Sequence, residues 1–193
     1  MMNPLYNNRT YYIEGKESFD KLFRDIAYDG SSVQGTREFA NTRLVISDVR
    51  EKPWGLDFNQ MLLVSQLLQA VNKQDDKMIN EVYDSKYYLF LKRELEYVKG
   101  EFKHDCVATR RAVFQFPGTH CFDSIQVLIR DGGVIVTVNM RSCNAYKNLM
   151  CDIFLAQRLA VEAVEGLKLK GDMHIIVNIG SLHLFKEDIK NVL

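Results

Sequence analysis

The sequence predicts an α+β fold in which helices cover one face of a mixed or antiparallel sheet. Two β-rich runs flank Asp131-Gly132-Gly133, and this arrangement strongly favours a β-hairpin. Helical stretches alternate irregularly with strands that are mostly joined as hairpins, which is typical of α+β proteins. The chain has 193 residues, enough for one sizeable core but not for two full domains. We therefore expect a single domain over residues 1–193.

Four stretches carry apolar residues at helical spacing. The predicted helices span residues 18–28, 58–71, 78–98 and 149–167. Ser18 is the predicted N-cap of the first helix, because its hydroxyl can accept a hydrogen bond from the first turn. We expect the last of these helices to pack against the hairpin.

The β-rich runs are shorter and several alternate apolar with polar residues. The predicted strands span residues 42–47, 111–116 and 174–179, besides the hairpin over residues 122–140. In the hairpin, the apolar positions recur with period two: Ile125, Val127, Ile129, Val134, Val136 and Val138. This period predicts a half-buried sheet. Residues 29–35 are rich in glycine and serine, and we predict a loop there.

Composition excludes several classes of function. Twenty-five basic residues balance twenty-five acidic ones, so no global field favours nucleic acid or an anionic membrane. No apolar run approaches the roughly 20 residues of a membrane span, and the N-terminal sequence lacks the blocks of a signal peptide. The cysteines have no paired metal-ligand spacing, so we expect no metal and reduced thiols in a cytoplasmic protein. Cys106, Cys143 and Cys151 are predicted to be structural.

Reactive and anion-binding residues flank the predicted hairpin. Cys121 precedes its first strand, and the pair Arg141-Ser142 stands twenty residues later, at the end of the second. A hairpin of this length can bring the thiol close to the guanidinium. A nucleophile beside an anion-binding group is what a covalent reaction on a phosphorylated substrate requires.

Five short motifs follow one another between about residues 109 and 185. They are Arg110-Arg111, Cys121 followed by Gln126, Arg141-Ser142, Asp152, and Gly180-Ser-Leu-His183-Leu-Phe185. In these motifs and their order the sequence resembles the thymidylate synthase superfamily, and it is closest to the cytidylate (CMP or dCMP) hydroxymethylases. The resemblance implies a thymidylate synthase-like fold, although upstream of residue 109 it is faint.

The resemblance implies a role for each central motif. Cys121 would be the nucleophile that adds to C6 of a pyrimidine and so makes C5 nucleophilic. Arg141 and Ser142 would hold the phosphate. Asp152 would bind the base and His183 the sugar.

The same resemblance implies further substrate contacts. Gln126, in the nucleophile segment, would contact the substrate, and Arg37 would match the early phosphate-binding arginine of the family. Arg110 and Arg111 would reach the phosphate bound by the other subunit, which requires a homodimer.

The residue at position 152 bears on which base is bound. In thymidylate synthases this position is asparagine, whose oxygen accepts from N3–H of uracil while its amide donates to O4. Cytosine inverts that pattern, because it carries an amino group at C4 and a bare N3. A carboxyl group accepts from the amine and, when protonated, donates to N3, so Asp152 favours CMP or dCMP over dUMP. The alternative is a carboxylate that only stabilises the N-terminal end of a helix.

Other positions depart from the family's pattern. Gln66 stands where the family has its catalytic glutamate, and glutamine cannot act as a general acid or base. Asn144 and Asn148 replace an aspartate and a glycine of the folate pocket, and Phe185 replaces a sugar-binding tyrosine. The sequence therefore preserves the nucleotide half of the site and alters the half that would hold 5,10-methylenetetrahydrofolate.

Three functions stay open at this point. The first is transfer of a hydroxymethyl group from methylenetetrahydrofolate to C5 of CMP or dCMP. The second is a divergent pyrimidine-nucleotide-binding protein without folate chemistry, such as a sensor or a sequestering protein. The third is a homodimer that serves only as a scaffold.

Overall fold

A computed structural model describes residues 9–47, 66, 69, 85–105, 108–116, 118 and 121–193. Within these ranges the strands are β1 (Arg9–Ile13), β2 (Ser31–Val33), β3 (Thr36–Ile46), β4 (Val113–Gln115), β5 (Phe122–Arg130), β6 (Gly133–Asn144) and β7 (Met173–Phe185). The helices are α1 (Lys16–Asp29), α2 (Ser85–Asp105), α3 (Leu149–Ala163) and α4 (Lys186–Ile189). The predicted α+β class is confirmed.

The described strands form one mixed sheet. Its order is β1-β3-β7-β6-β5-β4, and β2 pairs with β3 at one end. The pairs β1–β3 and β6–β7 are parallel, whereas the other pairs are antiparallel. The two longest strands, β6 and β7, therefore lie side by side in the middle of the sheet.

The hairpin of β5 and β6 forms where the sequence predicts it. Arg130 pairs with Gly133 across a two-residue turn, in which Asp131 has φ 50° and Gly132 has φ 77°. Both values lie in the left-handed region that this kind of hairpin turn requires, and glycine and aspartate tolerate it. The second strand continues past the predicted end at residue 140 to Asn144.

Helices and sheet enclose one apolar core. From the hairpin it takes the predicted period-two positions Ile125, Val127, Ile129, Val134, Val136 and Val138, all of them buried. From the helices it takes, among others, Phe19, Leu22, Ile26, Leu91, Leu95, Leu149, Leu155 and Leu159. Each such side chain contributes roughly 1.5–3 kcal/mol when it leaves water. The alternate residues of β5, β6 and β7 are half-exposed over most of their length.

In the neighbouring strands β3, β7 and β6, the alternation of buried and exposed residues is interrupted at the same position along the sheet. Two rows that are three positions apart are both buried: Thr42-Ile179-Met140 and Phe39-Leu182-Cys143. Residues three apart point to opposite faces in a regular strand, so the strands must bend between the rows. At the bend Asn41 has φ 51°, and a Cβ on Gly180 would lie 2.7 Å from the carbonyl oxygen of Arg141. The bend turns the side chain of Cys143 towards α3.

Several predicted strand boundaries are wrong, and the bend explains two of them. β3 begins at Thr36 and β7 ends at Phe185, beyond the predicted ranges 42–47 and 174–179, because the period-two pattern does not continue through the bend. The predicted loop over 29–35 contains β2, which returns through the two-residue turn Gln34-Gly35 with both φ values positive. β1 was not predicted, because it is a short strand at the sheet edge.

The bounds of the described helices also differ from the predicted ones, and α2 reaches Asp105, seven residues past the predicted end at residue 98. α1 begins at Lys16, so Ser18 is not the N-cap; its hydroxyl instead accepts the N–H of Glu14 (3.3 Å). α3 ends at Ala163, four residues before the predicted end. The helix predicted over 58–71 lies outside the described residues except for Gln66 and Gln69, which are helical. None of the helices in the described ranges is long and apolar enough to cross a membrane.

Candidate functional site

Residues from several of the motifs meet at one end of the sheet, where β6 and β7 finish and α3 begins. They are Cys121, Arg141, Ser142, Asp152 and His183. The parallel pairing of β6 with β7 sets Ser142 beside Ser181 and Asn144 beside His183. The backbone N–H of Arg141 donates to the carbonyl oxygen of Cys121 (2.9 Å), which fixes the thiol-bearing residue next to β6.

The thiol and the guanidinium at this end of the sheet differ in exposure. Cys121 is half-exposed and packs partly against the core, and it is not in a disulfide. Arg141 is exposed, and its Nη1 donates to the carbonyl oxygen of Gly118 (2.7 Å). This bond ties the segment before Cys121 to β6. Because a guanidinium has five N–H donors, donors are left with which Arg141 can bind an anion.

A buried thiol contacts the candidate base-reading carboxyl. Sγ of Cys143 lies 3.5 Å from Oδ2 of Asp152, which stands in the first turn of α3. Part of Asp152 reaches the surface, but burial of the carboxyl raises its pKa to about 7, against a usual value of 3.8. The bond from Cys143 lowers this pKa and only partly offsets the burial. Asp152 can therefore carry a proton near neutral pH, as cytosine recognition requires.

The Cys143 thiol stays protonated. Burial raises its pKa well above the usual value, and the charges of Asp152 and Cys121 raise it further. A thiol that keeps its proton is a donor for the Asp152 carboxyl rather than a second nucleophile.

His183 lies on β7 beside the same cluster. It is half-exposed, and its ring meets that of Phe185 edge to face, with centroids 5.4 Å apart. Its carbonyl oxygen accepts the N–H of Ala145 (2.8 Å), which joins β7 to the turn before α3. Its pairing with Asn144 sets His183 at the same end of the sheet as α3, and its contact with a sugar stays a prediction.

Arg37 reaches the same end of the sheet from β3. Its neighbour Glu38 pairs with His183, and Arg37 itself pairs with Leu184. The Nη1 atom of Arg37 donates to the carbonyl oxygen of Gly30 (2.9 Å), which holds the guanidinium against the end of α1.

Gln126, Arg110 and Arg111 lie elsewhere in the same chain. Nε2 of Gln126 donates to the carbonyl oxygen of Arg110 (3.0 Å), and Gln126 pairs with Thr137 rather than with the end of β6. Nε of Arg111 donates to Glu101 on α2 (3.0 Å). Five residues along a strand correspond to roughly 17 Å, so these groups do not join Cys121 within one chain.

One of the residues that would shape a folate pocket already has bonds within the chain. Asn144 is 6% exposed, and its side-chain oxygen accepts the N–H groups of Tyr146 and Lys147, both at 3.0 Å. This oxygen builds the turn before α3 and is not available to a pterin. Asn148 directly precedes α3, and Gln66 is a half-buried helical residue. Within the described ranges, no three His, Cys, Asp or Glu side chains lie together in a way that could hold a metal ion.

The contact of Cys143 with Asp152 does not follow from the sequence, which predicts a structural cysteine at this position. By strict alternation it would share a face with Arg141 and Asn139, away from the helices. The bend beside Gly180 reverses its direction, and nothing in the local sequence announces that bend except the glycine itself.

Comparisons with known proteins leave the family of the chain open. No protein-family model matches the chain. No curated protein is similar enough in sequence to indicate a family.

Proposed function

We propose that the chain is an enzyme of the thymidylate synthase type that acts at C5 of a cytidine monophosphate, CMP or dCMP. One observation carries this proposal: a half-exposed thiol, an exposed arginine and a carboxyl with a pKa of about 7 occupy one end of the sheet. The thiol would act as the nucleophile, the arginine would bind the phosphate, and the protonated carboxyl would form hydrogen bonds with the base.

The phosphate contact rests on Arg141 and Ser142. A planar guanidinium can bind two oxygens of a phosphate monoester at once, and charge-assisted bonds of this kind are among the stronger hydrogen bonds in proteins. The bond from Arg141 to Gly118 restricts the guanidinium before the ligand arrives. Ser142 is half-exposed next to it and adds a hydroxyl donor.

Base recognition and bond formation are linked through Asp152. After the Cys121 thiol has lost its proton to water, the sulfur forms a bond to C6 of cytosine. The π electrons of C5–C6 shift towards C4, and the C4–N3 π pair moves to N3, which takes the proton of Asp152. C5 is then enamine-like and nucleophilic. When C5 takes a proton from water and then loses the original hydrogen, reversal of these steps expels the thiolate and restores cytosine.

The one-carbon step of the resembled enzymes requires a pocket for the folate pterin. The resemblance implies hydroxymethyl transfer from 5,10-methylenetetrahydrofolate, but the oxygen of Asn144 is already bonded to two backbone N–H groups. We therefore derive no step through folate. Exchange of the C5 hydrogen needs only Cys121, Asp152 and water.

Release of tritium from C5-labelled CMP and dCMP tests the proposal. The wild-type protein should release tritium without folate, and Cys121→Ser should bind the nucleotide with similar affinity but release none, since a hydroxyl is a much weaker nucleophile. Equal release by the two proteins would remove Cys121 as the nucleophile. A parallel reaction with methylenetetrahydrofolate, analysed for the 5-hydroxymethyl product, shows whether the folate-dependent reaction occurs.

A second function is favoured by Gln66 and Asn144, which replace the acid and the pterin contact of the resembled enzymes. It is a cytidylate-binding protein without chemistry, acting as a sensor or sequestering protein. Tight binding of CMP without tritium release would support it. Absence of nucleotide binding would leave only a scaffold role.

A homodimer is part of the proposal, because Arg110 and Arg111 lie far from Arg141 within one chain. The ion pair of Arg111 with Glu101 leaves the arginine side chain 70% exposed. Glu101 is the more buried partner, with a side chain 15% exposed, but it also accepts from the Thr109 hydroxyl (3.3 Å) and so keeps a donor when Arg111 turns to a phosphate of a second subunit.

A further inference from the structure

The Cys143 thiol has one hydrogen and two acceptors within reach. Its sulfur lies 3.5 Å from Oδ2 of Asp152 and 3.5 Å from the carbonyl oxygen of Asn144. Cys143 is 1% exposed, so no water competes for this hydrogen. Within the described residues, the titratable group that contacts the Asp152 carboxyl is Cys143 on β6. The charge of Cys121, just before β5, acts on Cys143.

We propose that Cys143 is a specificity-determining residue, whose S–H keeps Oδ2 of Asp152 as the acceptor oxygen and so leaves the carboxyl proton on Oδ1. This inference rests on the proposed function, because it concerns how the same site reads its base. Cys143 touches no substrate atom and acts through Asp152 alone.

The hydrogen-bond donors and acceptors of the base decide where the proton of Asp152 must sit. Cytosine presents a C4 amine, which needs an acceptor, and a bare N3, which needs a donor. A carboxyl with Oδ2 accepting from both Cys143 and the amine, and with its proton on Oδ1 facing N3, satisfies both atoms. The carboxyl oxygen has two lone pairs, so the two bonds to Oδ2 do not compete.

Uracil requires the opposite placement of the proton. Its N3–H needs an acceptor and its O4 needs a donor, so the carboxyl proton would have to sit on Oδ2. There it would displace the S–H of Cys143, which would have to turn to its other acceptor, the Asn144 carbonyl oxygen, and lose its bond to Asp152. Cys143 thus disfavours uracil beyond what the carboxyl alone does.

The test compares three variants at position 143. Cys143→Ala removes the donor and the volume of the sulfur, Cys143→Val removes the donor but is larger than cysteine by about one methyl group, and Cys143→Ser keeps a donor. The ratio of UMP to CMP dissociation constants should fall on the order of five- to tenfold in the Val and Ala variants, because one hydrogen bond is lost. The Ser variant should keep at least half of the wild-type ratio.

A second readout does not depend on nucleotides. Removing the S–H donor should raise the pKa of Asp152 in the free protein, since the bond from Cys143 lowers it. Carboxyl carbon resonances of aspartate-labelled protein, followed from pH 4 to 9, measure this shift in all variants that unfold cooperatively.

The outcomes separate the two ideas. If the wild-type protein prefers CMP but the Val variant keeps both the ratio and the Asp152 titration, the role of Cys143 is wrong and the proposed function stands. If the wild-type protein binds no nucleotide, both the proposed function and the specificity role of Cys143 are wrong. A shift in the Asp152 titration would then show only that Cys143 contacts Asp152. A lower ratio together with a raised pKa supports the inference.

Discussion

Opposing effects meet at Asp152. Its carboxyl lies in the first turn of α3, where the helix dipole and the Cys143 donor favour the charged form. Burial among apolar side chains favours the neutral form and dominates, because the pKa is raised to about 7. The dipole alone would lower the pKa, so burial is the dominant effect at this carboxyl.

The raised pKa has a consequence for stability. The unfolded chain loses the Asp152 proton near pH 4, whereas the folded protein keeps it up to about pH 7. Because the folded state holds this proton in a window where the unfolded state has lost it, the contribution of Asp152 to stability falls as the pH rises from 4 to 7. A shift of roughly 3 pK units corresponds to at most about 4 kcal/mol.

Asp152→Asn isolates this contribution, because asparagine does not titrate. The wild-type free energy of unfolding, minus that of the variant, should decrease between pH 4.5 and pH 8. Urea unfolding at several pH values measures both proteins under identical conditions. Parallel profiles for the two proteins would show that the carboxyl titrates normally and would contradict its burial.

The proximity of two residues could be predicted where the spacing along the chain fixes the structure between them. Cys121 and Arg141 were expected to come together because a hairpin of known length joins them, and the bond from Arg141 to the Cys121 carbonyl brings them together. The contact of Cys143 with Asp152 depends on the direction of one side chain at a bend, which no local pattern specifies. Whether these residues bind a nucleotide stays a prediction.

At the scale of elements, the bend in β3, β6 and β7 decides where the site lies. It lets Cys143 and Leu182 join the helix-covered side while Met140 and Ile179, three positions earlier, are buried as well. Hairpin β5–β6 was predictable from Asp131-Gly132 and period-two alternation. The full lengths of β3 and β7 were not, since alternation stops at the bend.

Gly180→Ala tests this bend. The added Cβ would lie 2.7 Å from the Arg141 carbonyl oxygen, a backbone atom that cannot move alone. We expect a loss of about 1–3 kcal/mol in the free energy of unfolding, as for overpacked interior positions. Nucleotide affinity should fall as well, because Arg141 would shift.

Gly100→Ala is the matched control. Gly100 lies in α2 with no atom within 4 Å of an added Cβ, so alanine should stabilise the protein by roughly 0.5–1 kcal/mol through helix propensity. Urea unfolding of both variants measures the two effects. Equal stability of Gly180→Ala and the wild type would mean that the strands do not approach each other this closely.

At the scale of the whole molecule, the sheet face away from the core suggests an interface. In the described ranges its apolar residues Val45, Leu128 and Ile176 are half-exposed. A polar row crosses the same face, in which Asn178 donates to Asn139 and Asn139 to Ser124, both at 3.0 Å. Such a surface fits a subunit contact with an ordered polar seam.

We therefore expect a homodimer at micromolar concentration. Light scattering should give about 45 kDa, twice the chain mass of 22.4 kDa. Arg110→Ala and Arg111→Ala should then weaken nucleotide binding without changing this mass. A monomer with full nucleotide affinity would remove both arginines from the phosphate site.

The most direct measurement is the affinity of the purified protein for CMP, dCMP, UMP and dUMP, together with that of Asp152→Asn. A site that reads cytosine through a protonated Asp152 should bind cytidylates more tightly than uridylates in the wild type. Two mismatched buried hydrogen bonds cost on the order of 1–3 kcal/mol each, so the difference should be at least tenfold. Asp152→Asn should shift the preference towards uracil. Equal binding of CMP and UMP by the wild type, or no binding of either, would contradict the account.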